Sequence, residues 1–594
     1  MGLLSGFIQK HGWRYIPGVV FLLISAYLQN LAPMYLGRVT DALREPEIDT
    51  RAVGELLALM MLTAAAVFAV RYTYRFFING NGRNLEAYLR DKLFSHLQTM
   101  GPVFFHSHKT GDLMAYAVND VNAVRQTFGP ALALSVNAVS LTAIAVLNMA
   151  ASVNGKLAAF ALIPAPAVIL VMLLLGGETR KRFKRVQEAF GAISDRVQEN
   201  ISGLRVIKAY VQESAESARF ETLNHNARDA NIKMARISAA MGPAVDLCFG
   251  ISFTVSLLYG SSLVRGGSVS LGDFVAFNGY LALIVQPMRQ VSRIINILSR
   301  GLASTKRLNA IIQTPAEIAD RASVESRASG KKLNHAEIQI KNLCFSYPAN
   351  HEKDAGNSEV KTDGAFQLRG VSVHIKPGGL LGILGRTGSG KTTLANLLAR
   401  LYNPPDNTIF IDGTDANQLS LDELRAPMGY VPQDNFLFSA SIEENIRFFD
   451  PRHTREEVEK AAERAAILKN IQDFPQGFDT QVGERGMSLS GGQKQRICIA
   501  RALIKNPKLL ILDDSLSAVD TRTEAEILDA VCAYKEKGAS VVLIAHRISA
   551  LSRCDEIVVL DKGEITERGT HEELLKRNGL YAAIANDQTK DGEE

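Results

Sequence analysis

A glycine-rich segment in the second half of the chain, GRTGSGKTT, has the spacing of a phosphate-binding loop. It matches the pattern G-x-x-x-x-G-K-[ST] and follows an apolar run at 380–384 that predicts a β-strand. Glycines let successive backbone N–H groups point inward around phosphates, and a helix beginning near Lys391 would add its positive N-terminal end. We therefore predict that the loop binds ATP, with Lys391 neutralising the β- and γ-phosphates and Thr392 offering its hydroxyl to Mg²⁺. The residues predicted to contact the nucleotide here are Gly385, Thr387, Gly388, Ser389, Gly390, Lys391, Thr392 and Thr393.

A second apolar run, at 509–512, ends in two acidic residues, Asp513 and Asp514. A buried strand of this kind delivers a carboxylate beside a phosphate loop, where the carboxylate can hold Mg²⁺ through water. Asp513 is therefore the predicted metal-binding carboxylate.

The overall composition indicates two unlike parts. The chain has 594 residues, too long for one ordinary domain, and its mean hydropathy is +0.03 although 21% of its residues are charged. The net charge of +5 provides no general basic field, so nucleic acid is not an expected partner. The five cysteines are scattered without metal-ligand spacing, which predicts buried, reduced thiols.

The first 312 residues contain six segments long and apolar enough to cross a membrane as helices. A hydrocarbon core of about 30 Å requires about 20 mostly apolar residues in a helix. Short turns join the third span to the fourth and the fifth to the sixth, whereas the longer connections predict helices that continue into water. The predicted spans are 15–36, 56–78, 128–151, 157–176, 242–264 and 271–294.

The distribution of basic residues predicts the orientation of these spans. The connection 180–236 holds twelve lysine and arginine residues, whereas the two short turns hold one each, Lys156 and Arg265. Because basic residues are retained on the cytoplasmic side, we predict that the long connections and both termini are cytoplasmic. The predicted location is the cytoplasmic (inner) membrane.

Two of the cytoplasmic stretches have apolar residues at helical spacing. They are FFHSHKTGDLMAYAVNDV, which begins at Phe104 and includes Gly111 and Asp120, and ENISGLRVIKAYVQE, which begins at Glu199. Each stretch could dock an attached cytoplasmic domain, or it could only pack on neighbouring helices, and the sequence leaves both interpretations open.

Composition also divides the chain into domains. Residues 1–312 are the predicted transmembrane domain, the polar and small segment 313–335 predicts a linker, and 336–594 predicts a domain of strands alternating with helices. A polar insertion at 351–364 predicts a surface loop within that last domain.

A short motif between the phosphate loop and the Asp513 strand carries a family resemblance. The segment Leu489-Ser490-Gly491-Gly492-Gln493 matches the signature sequence of ATP-binding cassette (ABC) proteins. From the first span to about Asn586, the chain resembles a bacterial half-size multidrug exporter of that superfamily, and is most similar to one subunit of the heterodimeric exporters. The resemblance implies the type IV ABC exporter fold, in which a six-span α-helical transmembrane domain is fused to an α/β P-loop nucleotide-binding domain.

The resemblance also implies roles for residues at matching positions. Tyr347 would stack on the adenine, Gln433 would contact Mg²⁺ or the attacking water, and His546 would hold the γ-phosphate. Asp520 would reach across a dimer, and the segment 483–486 (Gly-Glu-Arg-Gly) would contact the helices that couple the two domains. Such cassettes pair head to tail, so Ser490, Gly491, Gly492 and Gln493 of one chain would complete the nucleotide site of the other.

One position departs from the family pattern. The residue after the Mg²⁺ aspartate is normally Glu, which acts as the catalytic base, whereas this chain has Asp514. Because Asp is one methylene shorter, its carboxylate lies about 1.5 Å back, and a misplacement near 1 Å can cost about 100-fold in rate. Heterodimeric exporters of this kind often carry such an Asp in one subunit, whose own site hydrolyses poorly while its signature completes the partner's working site. The expected partner is therefore a second half-transporter that carries Glu, and a homodimer with slow Asp514-based activity is the alternative.

The leading interpretation is ATP-driven export of amphipathic drugs or lipids. An importer built on the exporter scaffold is one alternative. An ATP-gated channel or regulatory subunit is another, disfavoured because Ser490, Gln433 and His546 are all intact. Polar residues within the spans could line the translocation path or form interhelical hydrogen bonds, and Asp246 would favour cationic substrates if it lined the path. These residues are Asn137, Asp246, Asn278 and Gln286.

Overall fold

The computed structural model describes residues 2–46, 48–321, 333, 335–348, 367–483, 486 and 489–590. The chain divides into two compact units. A helical unit comprises Met1–His96 and Gly111–Thr314, and a sheet-containing unit comprises Leu97–Thr110 and Pro315–Glu594. The predicted insertion at 351–364 and much of the predicted linker lie outside the described residues.

Twelve α-helices precede the first strand in the described chain. Some consecutive helical segments join into longer continuous helices. Among the described residues, five such continuous helices are long and apolar enough to cross a membrane, and they contain the first five predicted spans: Leu4–Ala42, Thr50–Gln98, Thr110–Ala151, Gly155–Ser202 and Glu213–Arg265. The bounds of the twelve are α1 Gly2–His11, α2 Tyr15–Ala42, α3 Thr50–Gln98, α4 Pro102–Ser107, α5 Thr110–Ala115, α6 Val121–Gln126, α7 Leu132–Asn148, α8 Gly155–Leu162, α9 Ala165–Ser202, α10 Leu204–Ala209, α11 Glu213–Arg265 and α12 Leu271–Gln313.

The sixth predicted span, 271–294, begins α12, a helix of 43 residues. This helix is not among the five apolar ones, and its first half contains the polar residues Asp273, Asn278 and Gln286. The count of six spans therefore stays a prediction.

Close packing holds α12 against α2 at the end where α12 begins. The Ser270 hydroxyl donates to Asp41 Oδ2 at 2.7 Å, and the Gly272 N–H donates to Asp41 Oδ1 at 2.6 Å. A Cβ added at Gly37 would lie 2.5 Å from the Gly272 carbonyl oxygen. Small residues thus let the two helices approach closely, as is common in membrane-spanning helix pairs.

A buried carboxylate joins α12 to the π-helical segment Tyr116–Asp120 that precedes α6. Asp120 accepts hydrogen bonds from Ser304 Oγ at 2.9 Å and from Arg307 Nε at 2.8 Å. Burial by itself would raise the pKa of Asp120, but the hydrogen bonds from Arg307 and Ser304 outweigh it and lower that pKa. Asp120, named above in the first amphipathic stretch, thus forms its hydrogen bonds within the helical unit.

The two amphipathic stretches have different surroundings. Helix α4 lies in the sheet-containing unit, where Phe104 is buried and Val103 packs on the hydrophobic core of that unit. In α10, by contrast, no residue is buried, and Leu204 and Val206 are exposed. The packing of α4 supports the docking interpretation for the first stretch.

The sheet-containing unit has two sheets. A four-stranded antiparallel sheet has the order β2-β1-β4-β5, and a six-stranded sheet has the order β10-β9-β3-β8-β7-β6. In the larger sheet β9, β3, β8, β7 and β6 run parallel, and only β10 is antiparallel. The strands are β1 Ile338–Phe345, β2 Leu368–Ile375, β3 Leu380–Gly385, β4 Ile409–Ile411, β5 Thr414–Asp415, β6 Met428–Val431, β7 Leu509–Asp513, β8 Ser540–Ile544, β9 Glu556–Asp561 and β10 Glu564–Gly569.

Helices cover both faces of the parallel strands. Leu510 and Leu512 of β7 join one hydrophobic cluster, whereas Leu509 and Ile511 join another, so successive side chains bury opposite faces. Strands buried on both faces have near-continuous apolar sequence, as the 509–512 run does. The helices of this part are α13 Lys391–Leu398, α14 Leu421–Arg425, α15 Ile442–Arg447, α16 Arg455–Arg464, α17 Leu468–Gln472, α18 Gly491–Leu503, α19 Thr521–Glu536, α20 Ile548–Leu551, α21 His571–Lys576 and α22 Leu580–Lys590.

Candidate functional site

Four neighbouring parallel strands end at the same edge of the larger sheet, and each is followed by a predicted site residue. β3 ends at Gly385, where the phosphate loop begins, and β7 ends at Asp513. β8 lies between them and is followed by His546, while β6 lies beyond β7 and is followed by Gln433. The carboxyl edge of a parallel sheet is where α/β proteins bind ligands, so the topology collects residues far apart in sequence.

The phosphate loop requires its glycines for two different reasons. Gly388 and Gly390 have φ angles of 81° and 103°, in the left-handed region that side chains disfavour. At Gly385 the limit is space, since an added Cβ would lie 2.5 Å from Ser389 Oγ. The loop then enters α13 directly at Lys391, so the N-terminus of that helix faces the space enclosed by the loop.

The Lys391 side chain folds back across the loop. Its Nζ donates to the carbonyl oxygens of Gly385 at 2.7 Å and Arg386 at 3.0 Å, and the residue is only 7% exposed. Burial lowers the pKa of Lys391, while the nearby carboxylates of Asp513 and Asp514 raise it. The ammonium group is thus held at the loop by acceptors that anionic phosphates could replace.

Several polar atoms at this edge are buried and have no hydrogen-bond partner within the described part of the chain. They are Asp513 Oδ2, Ser389 Oγ and Ser515 Oγ. Burial raises the pKa of Asp513, which is 1% exposed, and a hydrogen bond from Thr392 opposes that rise. A buried carboxylate oxygen and a threonine hydroxyl are hard oxygen ligands of the kind Mg²⁺ prefers, so the donor set fits this ion.

Asp514 directly follows β7 and has a φ of 45°. Its N–H donates to the Ile544 carbonyl oxygen at 2.9 Å, which ties it to β8. Burial raises the pKa of Asp514, whereas the charges of His546 and Lys391 lower it. Its carboxylate therefore lies in the same group as the phosphate loop, Asp513 and His546. The left-handed backbone conformation suits Asp better than most residues.

Tyr347 lies beside the first turn of α13. Its hydroxyl donates to Thr393 Oγ1 at 3.0 Å, and its ring meets that of Tyr402 edge-on at 4.9 Å. The residue as a whole is 37% exposed. Tyr347 is therefore close to the phosphate loop, at a position from which an aromatic ring can stack on a base.

The signature residues form the start of another helix, α18. Ser490 caps it: the Gln493 N–H donates to Ser490 Oγ at 3.3 Å, and the Ser490 N–H donates to Gln493 Oε1 at 2.9 Å. An added Cβ at Gly492 would lie 2.7 Å from the Ala518 carbonyl oxygen, so only glycine fits there. Within the described residues no hydrogen bond joins this cap to Lys391 or the two aspartates. The positive end of α18 therefore begins at the signature residues, with Ser490 and Gln493 closing its first turn.

A cavity of about 510 Å³ brings Gln433 together with Gly491 and Gln495. Asp520 caps α19 through the Thr523 N–H at 3.0 Å, and it is exposed. In the predicted coupling loop, Gly483 and Gly486 are described, whereas Glu484 and Arg485 lie outside the described residues.

A contact that the sequence does not predict holds the backbone at His546 in place. Gln588, near the end of α22, donates from Nε2 to the His546 carbonyl oxygen at 2.7 Å and accepts from the Ile548 N–H at 3.0 Å. The His546 carbonyl lies in the turn after β8, and the Ile548 N–H is at the start of α20. No motif includes Gln588, and only its location next to this turn connects it to the site.

Two polar residues of the spans form interhelical contacts. Asp246 on α11 pairs with Arg289 on α12. Asn278 on α12 accepts a hydrogen bond from Ser256 Oγ on α11 at 3.1 Å. For both residues the structure favours the interpretation as interhelical contacts. The Asp246 carboxylate is paired with Arg289 and is therefore not free to attract a cation.

This fold and this site together define an ATP-hydrolysing domain fused to a membrane domain. A family model described as the ABC transporter transmembrane region matches residues 15–288, and one described as ABC transporter matches residues 368–517. The chain belongs to the ABC transporter family, and its enzymatic activity is ATP hydrolysis coupled to transport.

Individual relatives match nearly the whole chain. A probable multidrug resistance ABC transporter ATP-binding/permease protein of Bacillus subtilis, YheI, is 37% identical, covering 97% of this chain and 96% of the relative. The multidrug resistance-like ATP-binding protein MdlA of Escherichia coli is 35% identical, covering 97% and 95%. An ATP-dependent lipid A-core flippase of Syntrophus aciditrophicus is 32% identical, covering 99% and 94%.

A solved structure agrees with the fold. A bacterial Atm1-family ABC exporter with ATP bound matches with a TM-score of 0.79 and 27% identity, covering 97% of this chain and 99% of that one. The predicted fold class, a helical transmembrane domain fused to a P-loop nucleotide-binding domain of the type IV exporter kind, is confirmed.

Proposed function

We propose that this chain is one half of a heterodimeric exporter of amphipathic compounds, drugs or lipids, located in the cytoplasmic membrane. The observation that carries the heterodimer is Asp514, a short carboxylate at the position of the catalytic base, in a chain whose signature cap at Ser490 is fully formed. The chain's own site would bind ATP and turn over slowly. Its signature would complete the productive site of a partner that carries Glu.

In this proposal each residue at the sheet edge has a separate role in binding the nucleotide. Lys391 and the loop hold the phosphates, Tyr347 stacks on the adenine, and His546 contacts the γ-phosphate. Asp520 reaches toward the partner subunit. Mg²⁺ would be held by Thr392, Asp513 and Gln433, and when bound it would neutralise charge on the β- and γ-phosphates.

The class of substrate rests on relatives whose names include multidrug resistance and lipid A-core flippase. Compounds of both kinds have apolar parts that a membrane-embedded path can bind. We therefore propose export of amphipathic molecules rather than of small hydrophilic solutes.

The test compares this chain alone with this chain co-expressed with a second half-transporter that carries Glu after its Mg²⁺ aspartate. Each preparation is reconstituted in liposomes, and ATP-dependent movement of a fluorescent amphiphile is measured beside its stimulation of ATPase activity. We expect transport and stimulated hydrolysis from the pair and little from the single chain. Full activity of the single chain would instead establish a homodimer, and stimulated ion flux without net amphiphile movement would establish a channel.

The proposed orientation makes a separate prediction about labelling from outside the cell. In a background lacking the five native cysteines, a cysteine at Gly266, between α11 and α12, should react with a membrane-impermeant maleimide in intact cells. A cysteine at Glu188, within α9, should react only after permeabilisation. The opposite pattern would overturn the cytoplasmic placement of the termini and the 180–236 connection.

A further inference from the structure

A cavity of about 510 Å³ lies within the helical unit, between α6, α9, α11 and α12. Its apolar lining includes Met172, Met241 and Val245. Its polar lining comes mainly from one helix, α12, which contributes Arg289, Ser292, Arg293, Asn296 and Arg300, and Gln126 of α6 completes it. The cavity therefore has an apolar side and a strongly basic side.

One face of α12 carries three arginines and an asparagine, Arg289, Arg293, Asn296 and Arg300. Positions 289, 293, 296 and 300 follow at intervals of four, three and four, which aligns side chains along a helix. From Arg289 to Arg300 the stripe extends about 16 Å at 1.5 Å per residue. The cavity could thus hold a charged group at more than one height along the stripe.

The carboxylate next to this stripe, that of Asp246, already forms an ion pair. Asp246 pairs with Arg289, whereas Arg293 and Arg300 make no ion pair with any described residue. A further cation, Arg180, donates to Asn296 Oδ1 at 3.3 Å. Counting Arg289, Arg293 and Arg300 against Asp246, the group has a net charge of about +2, so an anion is the ligand that it would attract.

The position of the stripe along α12 also fits a headgroup. Arg289 lies 18 residues after the start of α12 at Leu271, or about 27 Å at 1.5 Å per residue, against a hydrocarbon core of about 30 Å. The stripe therefore begins near the end of the apolar layer, in the last turns of the predicted span 271–294. In the orientation proposed above, this is the cytoplasmic boundary, from which an exporter would load.

We propose that this cavity binds the anionic headgroup of an amphipathic substrate, a phosphate or sulfate monoester, with Arg293 and Arg300 contacting the headgroup and the apolar lining contacting the chain. The proposal rests on the export function and specifies its substrate class. Arginine suits this role because its planar guanidinium forms paired hydrogen bonds with such oxyanions. Arginines that served only to anchor α12 at the membrane surface would need no cavity in front of them.

The test measures binding by the purified transporter in nanodiscs of zwitterionic lipid, without ATP. Two fluorescent probes share a twelve-carbon chain, one ending in a phosphate monoester and the other in trimethylammonium. We expect the phosphate probe to bind at least tenfold more tightly than the cation. Arg293→Gln with Arg300→Gln should reduce that affinity about tenfold or more, since hydrogen bonds to charged groups contribute strongly.

Two further variants test the sign of the effect. Asp246→Asn releases Arg289 and should strengthen binding of the phosphate probe, whereas a cation-selective site would respond in the opposite direction. The matched control is Arg236→Gln, which removes one positive charge from an exposed position of α11 outside the cavity. It should leave both affinities unchanged. Arg293→Lys with Arg300→Lys keeps the charge and should restore most of the binding, which separates recognition from misfolding.

The same measurement distinguishes the source of the headgroup. Competition by dodecyl phosphate but not by phosphatidic acid would indicate a free single-chain amphiphile, and competition by both would admit a membrane lipid. Equal binding of anionic and cationic probes, or an equal loss in the Arg236 control, would overturn the anionic site while leaving export intact. Selective anion binding without ATP-driven transport by the assembled pair would instead contradict the export function alone.

Discussion

Replacing Lys391 with alanine should weaken ATP binding by this subunit more than a hundredfold. Lys391 is only 7% exposed, and its ammonium group donates to the carbonyl oxygens of Gly385 and Arg386, so it is positioned before any nucleotide arrives. Two charge-assisted hydrogen bonds to phosphate oxygens, at about 1.5–3 kcal/mol each, correspond to a factor above 100 in the dissociation constant.

Photolabelling with an azido-ATP analogue is the appropriate measurement, because the two subunits of an assembled pair separate by gel electrophoresis. Labelling of this chain should disappear in Lys391→Ala at concentrations that saturate the unmodified protein, while the partner's band persists. The matched control is Lys460→Ala, which removes the same charge from an exposed position of α16. Unchanged labelling of the Lys391 variant would refute the assignment of the phosphate loop.

The parts of this site that follow from sequence are those fixed by local patterns. The glycine spacing at 385–390 predicts a loop between a strand and a helix, and the structure has β3 and α13 on either side of it. The apolar run ending at Asp513 predicts a buried strand, and β7 is buried throughout. Both depend on neighbours within about ten residues, which is the range over which backbone conformation and burial leave a periodic signature.

The parts that sequence does not predict depend on residues far apart in the chain. The contacts of Gln588 with the turn after β8 and of Asp246 with Arg289 join positions about forty residues apart, and no motif includes Gln588, Asp246 or Arg289. The membership of Leu97–Thr110 in the sheet-containing unit likewise follows from tertiary packing, since Val103 packs on a hydrophobic core built from residues more than 200 positions later in the chain. The basic cavity is also not predictable from sequence. Three arginines near the end of a span would be interpreted as residues that fix the helix at the membrane surface, and only the surrounding helices show that they line a cavity.

Asp514→Asn should cost the assembled transporter less than about twofold in ATPase activity, whereas Ser490→Leu should cost more than tenfold. The first change removes a carboxylate that already lies about 1.5 Å short of the position a Glu would reach, so little base catalysis is lost. The second change places a bulky apolar side chain at the N-terminus of α18, the element proposed to face the γ-phosphate bound by the partner. Asp514→Glu should act in the opposite direction from Asp514→Asn and raise turnover at this chain's own site.

Part of the Ser490 effect must be separated from the loss of a helix cap, which costs about 1 kcal/mol wherever it occurs. Ser420→Leu is the matched control, because Ser420 caps α14 through the same type of capping box, with Glu423 in place of Gln493. It should reduce thermal stability without a comparable loss of substrate-stimulated hydrolysis. ATPase activity of the purified pair, with each variant beside the unmodified protein, gives the comparison. If Asp514→Asn abolishes turnover while Ser490→Leu is tolerated, the asymmetric arrangement is wrong, and Asp514 then serves as the base in two equivalent sites of a homodimer.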